Sequence, residues 1–146
     1  MDKIKLLICG LPGSGKTTLA EKLSKEINAV WFNADEIRNE ISKDLKFSAE
    51  DRLEHSRRMG VLCDIVLRTN HAVVADFVCP TPETRAAFGP THVIFMDTIK
   101  SGRFEDTNKV FQKPDAPTLT IKSFEMANDI EAIIMGLAIS VSRFKS

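Results

Sequence analysis

The chain has 146 residues, 43% of them apolar, which suits one domain spanning 1–146 around one continuous core. Twenty Lys plus Arg balance twenty Asp plus Glu, so no overall field recommends nucleic acid or an anionic membrane surface as the main partner. Any charge on a ligand must be met locally. The apolar run in MDKIKLLICG is too short for a signal peptide or a membrane span, and Cys9, Cys63 and Cys79 form no CxxC pair. A cytoplasmic protein with reduced thiols is expected.

In chain order, IKLLIC (4–9) is a short continuous apolar run, as in a strand buried on both faces of a parallel sheet. A Gly/Pro turn follows, and GKTTLAEKLSKEI (15–27) sets Leu19, Leu23 and Ile27 at helical spacing. AVWFN (29–33) predicts a second strand, and Asp35 to about Lys43 a charged helix. A long helix is predicted from about Ser48 to Thr69, with Met59, Leu62 and Val66 as its apolar stripe and Asn70 as its stop. AVVADFV (72–78) is a third strand, Pro80 and Pro82 frame a loop, THVIFMDT (91–98) is a fourth strand and TLTI (118–121) a fifth. The last helix is expected from Ser123 to about Phe144, packed through Ile130, Ile133, Ile134, Leu137 and Val141. Residues 99–117 are the least periodic and are expected to form a mobile cover over the site. Strands alternating with helices predict an α/β fold, a five-stranded parallel sheet with helices on both faces.

Gly10-Leu-Pro-Gly-Ser-Gly15-Lys16-Thr17 satisfies G-x-x-x-x-G-K-S/T at every specified position, between the first strand and the first helix. Glycines let the backbone curl into a concavity of N–H groups, and the following helix adds its positive end. The expected phosphate-binding residues are Gly10, Pro12, Gly13, Ser14, Gly15, Lys16, Thr17 and Thr18, the last of which also reads simply as helix. Lys16 would follow the β- and γ-phosphates of ATP, and the Thr17 hydroxyl would ligate Mg²⁺. With the strand pattern, this motif predicts the three-layer P-loop NTPase fold and a kinase passing the terminal phosphoryl group of ATP to a small molecule.

Phosphoryl transfer also needs a further magnesium anchor and a group to orient the acceptor hydroxyl. Asp76 interrupts an apolar strand near its C-terminal end, where ligands of open α/β sheets gather. It reads as a magnesium-side carboxylate, or else as a structural Asp bonded to loop backbone. Asp35, after the second strand, reads as a catalytic, substrate-orienting and metal-side residue, or as a helix N-cap.

Several motifs stand in the order found in adenylylsulfate kinases, and over about residues 4–98 the chain resembles that family. GLPGSGKTTLA resembles the family's GLSGSGKST-type loop, NADEIR (33–38) its DGDNIR, and SKDLKFSAEDRLEHSRRMG (42–60) its NKDLGFSxxDRxENIRRIG. ADFVCP (75–80) is similar to TAFISP, and FMDT (95–98) to FVDT. The resemblance implies phosphorylation of the 3′-hydroxyl of adenylylsulfate by Mg²⁺-ATP, as in sulfate assimilation. It sets Asp35 near the acceptor hydroxyl and the metal, Arg38 and Arg52 on the acceptor's phosphosulfate, and Phe47 against its adenine. His55, Phe77 and Cys79 fall at further acceptor-side positions.

Departures from the pattern are equally plain. The first Asp of DGD is Asn33, the Asn of ENIRR is His55, and the Ser of FISP is Cys79. Asp76 stands where the family has a small residue, so the second carboxylate can have moved there from position 33. The basic lid RDxKGLYxKAxxGxIxxFTGID is reduced to FEDTNKVFQKPDAP, with Glu105 in place of its Arg. Such a change predicts weaker closure or another acceptor: a sugar, a nucleoside or a polynucleotide end. A non-catalytic ATP-binding relative is the remaining reading, and closure in trans through a homodimer stays open. The other conspicuous side chains read as structural. Cys79 has no triad around it, His71 and His92 open strands, Trp31 and Phe32 pack beside the sheet, and Met59, Met126 and Met135 are core residues.

Overall fold

The computed structural model describes residues 3–139. Five strands, β1 (Lys5–Gly10), β2 (Val30–Asn33), β3 (Val73–Asp76), β4 (His92–Met96) and β5 (Leu119–Ile121), form one parallel sheet in the order β2-β3-β1-β4-β5. The helices are α1 (Lys16–Glu26), α2 (Ala34–Glu40), α3 (Ala49–Leu67), α4 (Pro82–Phe88), α5 (Glu105–Val110) and α6 (Ile130–Leu137). This is the α/β P-loop fold that the sequence predicts, with layers on both faces of the sheet.

β1 shows why its sequence is apolar throughout. Leu6 and Ile8 enter a core with Leu19, Leu23, Ile133 and Leu137 of α1 and α6, while Leu7 and Cys9 point the opposite way against Met59 and Cys63 of α3 and Phe88 of α4. A strand at the centre of a three-layer stack has no face left for polar side chains. Truncating a buried side chain here, such as Met59, would cost about 2–5 kcal/mol. β3 and β4 flank β1 on either side, so the chain reverses its direction of winding there. Ligands of such sheets bind in the crevice that this switch opens at the carboxyl ends of the strands.

Three stretches differ from expectation. The Pro80–Pro82 region is not a loop throughout, because Pro82 starts α4. Proline suits a first helical position, whose N–H has no intrahelical partner, and the Thr81 and Thr84 side chains close a capping box around it. The cover of 99–117 holds α5. The last helix starts at Ile130, not Ser123, because Asp129 caps it and a 3₁₀ turn, Met126–Asn128, precedes it. Its expected continuation through Val141 to Phe144 lies outside the described residues. Met126 and Met135 are 43% and 80% exposed, so of the three methionines expected in the core only Met59 is there. The three cysteines are free and buried, and among the described residues no helix is long and apolar enough to cross a membrane.

Candidate functional site

A cleft of about 510 Å³ opens at the carboxyl ends of β1, β2 and β3. One side is the phosphate loop. β1 delivers Gly10 against β4 so closely that a Cβ there would stand 2.8 Å from the Met96 carbonyl oxygen. Gly15 closes the loop at φ 97°, in the left-handed region, and caps α1 without any side-chain bond. The first turn of α1 contains no acidic residue, so its free N–H groups and positive dipole end remain available to an anion. Thr98 Oγ1 donates to the Ser14 carbonyl (2.7 Å) and ties the loop to the end of β4.

Lys16 is buried, and its Nζ donates to the Leu11 carbonyl at 2.9 Å. Burial pulls its pKa below the ordinary value, opposed by the charges of Asp76 and then Asp35. Pro12, Gly13, Lys16 and Thr17 line the cleft. Gly10, Ser14 and Gly15 shape the loop without lining it, the Ser14 hydroxyl being wholly buried and unpartnered among the described residues. Thr18 faces solvent on α1, outside the cleft.

Asp76 ends β3, level with Ile8 of β1 and Asn33 of β2. Its carboxylate accepts from side chains rather than loop backbone: Trp31 Nε1 at 2.6 Å, Asn33 Nδ2 at 3.1 Å and Thr17 Oγ1 at 3.1 Å. It is 2% exposed, and burial raises its pKa despite the three donors and the nearby Lys16. The sequence reading placed Trp31 beside the sheet but missed this bond. A buried carboxylate touching the loop's hydroxyl fits Mg²⁺, a hard cation that takes few protein oxygens and completes its shell with water and phosphate.

The helix cap that Asp35 could have supplied comes from Asn33, whose side chain accepts from Glu36 N at 3.0 Å. Asp35 thus sits in the first turn of α2, lines the cleft, and pairs at 3.1 Å with Arg38. Across from the loop, Arg38 lies over the Phe47 ring at 4.6 Å and Arg52 at 5.6 Å, while Arg52 Nε donates to the Phe47 carbonyl at 2.8 Å. Burial lowers both arginine pKa values, and for Arg52 the charge of Arg38 adds to it. Two guanidiniums crowded into one half-desolvated corner favour an anion between them.

α3 follows its spacing in part. Arg52 and His55, in its N-terminal half, line the cleft, and of the expected stripe Met59 is buried on the sheet while Leu62 and Val66 are only partly buried, because the face turned fully inward continues through Cys63 and Leu67. Arg57 and Arg58 turn away to pair with Glu54, and Arg58 also grips Asp44. Phe77 and Cys79 line the back wall, and Cys79 holds a left-handed backbone at φ 45°.

The cover contributes Asp106, which aligns loosely with the family's lid, and three residues that the sequence does not single out, Arg103, Phe104 and Thr107; all four line the cleft, and Arg103 reaches to 4.0 Å from where a Cβ of Gly13 would be. No spacing rule marks a lone Arg in an aperiodic stretch. The cover is fastened at both ends. Asn108 exchanges two hydrogen bonds with Gly102, which lies against Pro12 of the loop. At the far end Gln112 N donates to the Pro80 carbonyl at 2.7 Å, and buried Arg85 donates to the Gln112 carbonyl beneath the Phe111 ring.

The family model described as adenylylsulphate kinase matches residues 2–99. The chain belongs to the adenylylsulphate kinase family. It is 38% identical over 89 residues to the adenylyl-sulfate kinase of Shewanella pealeana, an alignment covering 58% of this chain and 43% of that one. With the probable adenylyl-sulfate kinase of Bacillus subtilis it shares 30% over 115 residues, covering 75% and 53%. The chain thus spans about half the length of the curated relatives it matches. Among solved structures, the APS kinase of Mycobacterium tuberculosis in complex with AMPPNP and APS superposes with a TM-score of 0.79 at 20% identity, over 95% of this chain and all of that one. A gluconokinase from Sinorhizobium meliloti gives 0.68 at 14% identity, covering 94% of each chain. At those identities the likeness is one of fold. The family match stops where the cover begins.

Proposed function

We propose that the chain is an ATP-dependent kinase that phosphorylates the 3′-hydroxyl of adenylylsulfate. The observation that carries this reading is the pairing, in one cleft, of an uncapped phosphate loop with an Arg38–Phe47–Arg52 corner suited to an aromatic base next to an anion. In it, the loop N–H groups, the α1 terminus and Lys16 hold the ATP phosphates, with Arg103 above them. Half-exposed Phe124, 3.3 Å from the Cβ position of Gly15, offers a flat apolar surface to the purine. Thr17 and Asp76, with Asp35 nearer the acceptor, would hold Mg²⁺, which neutralises charge on the β- and γ-phosphates when bound.

Asp35 orients the acceptor hydroxyl. The hydroxyl oxygen forms a bond to the γ-phosphorus as the bond from that phosphorus to the β–γ bridging oxygen breaks, ADP takes that electron pair, and Asp35 accepts the hydroxyl proton. Lys16 lies on the Leu11 carbonyl, and arrival of phosphate would draw it off that bond. Catalysis is then positioning and charge neutralisation. The acceptor is a free small molecule, and the chemistry needs no membrane.

A second reading keeps this chemistry and changes the acceptor to a sugar or nucleoside, favoured by His55 at an acceptor-side position and by the reduced cover. ADP release measured against a panel of adenylylsulfate, gluconate, nucleosides and 5′-hydroxyl oligonucleotides separates the two. The first reading expects adenylylsulfate to give the highest kcat/KM. A higher value for any other acceptor would replace it.

A further inference from the structure

The family match ends at residue 99, and where the family's basic lid has its arginine this chain has Glu105. On that ground the sequence predicts weaker closure. The cover nevertheless sets a different cation at the phosphate loop. Arg103 lines the cleft, with its Nη1 4.0 Å from the Cβ position of Gly13. Burial lowers the Lys16 pKa and the charge of Arg103 lowers it further, so the two cations are close enough to repel. Among the described residues Arg103 makes no hydrogen bond or ion pair, and its one ring contact is Phe104, at 5.0 Å. An unpaired guanidinium beside a loop of free N–H groups suits a phosphate oxygen.

The side chain of Arg103 is exposed, so its place over the loop depends on how its backbone is held. Residue 102 can lie on the loop because it is glycine. An added Cβ would stand 3.0 Å from the Pro12 carbonyl oxygen and 3.3 Å from Pro12 Cδ. One side chain then takes both polar groups of Gly102: Asn108 Oδ1 accepts from Gly102 N at 2.8 Å, and Asn108 Nδ2 donates to the Gly102 carbonyl at 2.9 Å. Asn108 N also donates to the Phe104 carbonyl at 3.1 Å, so hydrogen bonds to one residue bracket Arg103 on both sides. The clasp is made wholly by the chain's own groups.

We propose that Asn108 is a positioning residue for phosphoryl transfer: by clasping Gly102 onto Pro12 it holds the Arg103 guanidinium over the phosphate loop, where Arg103 contacts the β- and γ-phosphates of ATP. The short cover thus supplies from position 103 the charge that the family's lid carries at the position of Glu105. It does so from a docked position, without swinging over the substrate. This deepens the ATP half of the kinase reading and rests on it.

The test is calorimetric binding of AMPPNP and of AMP, together with ADP release from the best acceptor of the panel above. The variants are Arg103→Ala, Asn108→Ala, Gly102→Ala and the double variant Arg103→Ala/Asn108→Ala. Arg103→Ala should weaken AMPPNP binding about tenfold, leave AMP unchanged and lower kcat ~10²-fold. Asn108→Ala should lower kcat about tenfold in the wild-type background and add nothing once Arg103 is gone. Gly102→Ala lifts the cover off Pro12 by another route and should copy Asn108→Ala. Losses that multiply in the double variant would show that Asn108 acts through something other than Arg103, and would overturn the proposal. An equal loss of AMP binding would do the same, because it marks a general structural defect. Wild type that binds AMPPNP while Arg103→Ala binds it just as well defeats this proposal alone. Wild type that binds no AMPPNP defeats the kinase reading and this proposal with it.

Discussion

On the phosphate side of the cleft the ligand-facing surface is mostly backbone, turned between β1 and α1 and pinned by Gly10 against Met96 and by Thr98 on Ser14. On the acceptor side it is long side chains, Arg38, Phe47 and Arg52, each held by one or two hydrogen bonds or ring contacts. Backbone geometry admits few changes and reads any phosphate alike. Side chains hung on α2, α3 and the turn between them can be exchanged singly, so in the proposed reading the acceptor side carries specificity.

The largest break in this comparison is Lys16→Ala, which removes the buried cation of the phosphate side. Its kcat should fall ~10³-fold, the scale of removing one transition-state charge partner. Steady-state kinetics at saturating ATP measures it, and a loss confined to KM would mean that Lys16 only binds. Asp76→Asn comes next, with an expected ~10²-fold loss in kcat. Turnover unaltered by this substitution would remove Asp76 from the metal side.

Asp76 also sharpens the comparison through pH. Because burial raises its pKa above the ordinary 3.8, the folded protein keeps a proton there that the unfolded chain has released. That stability is fully present below pH 3.8 and is lost as pH rises through the raised value. Urea midpoints of the ligand-free protein should therefore fall with rising pH across that window, and Asp76→Asn should flatten the slope. An unchanged slope would show that another group titrates there.

Arg52→Lys tests the acceptor side alone. Lysine keeps the charge but loses the fork that bonds Phe47 and faces the ligand, so the KM of the acceptor should rise about tenfold while that of ATP stays. Smallest is Arg57→Ala. Among the described residues Arg57 pairs only with Glu54, on the solvent face of α3, so kinetics and thermal midpoint should match wild type. A kinetic defect there would extend the acceptor surface along α3.

The same contrast governs what could be read from the sequence. The loop was legible because its residue types and spacing are dictated by phosphate geometry, and the order of strands followed from apolar runs such as 4–9. α3 was legible in part because its period sets Arg52, His55 and Met59 on one face, whose start meets the cleft and whose remainder packs on the sheet. α4 was not, since Pro82 reads as a break and only its Thr81–Thr84 box reveals a start. Arg103 and the anchors of the cover were hidden because tertiary contacts hold them: Gly102 on Pro12, and Arg85 on Gln112. The bond from Trp31 to Asp76 joins neighbouring strands β2 and β3, an adjacency that only the sheet order supplies.

The most direct test of the account is mass spectrometry of the products formed by purified protein with Mg²⁺, ATP and adenylylsulfate, with Lys16→Ala run beside it. The account predicts ADP and 3′-phosphoadenylylsulfate in equal amounts from the wild type and neither from the variant. ATP bound without phosphorylated adenylylsulfate, or product that persists in Lys16→Ala, would contradict it.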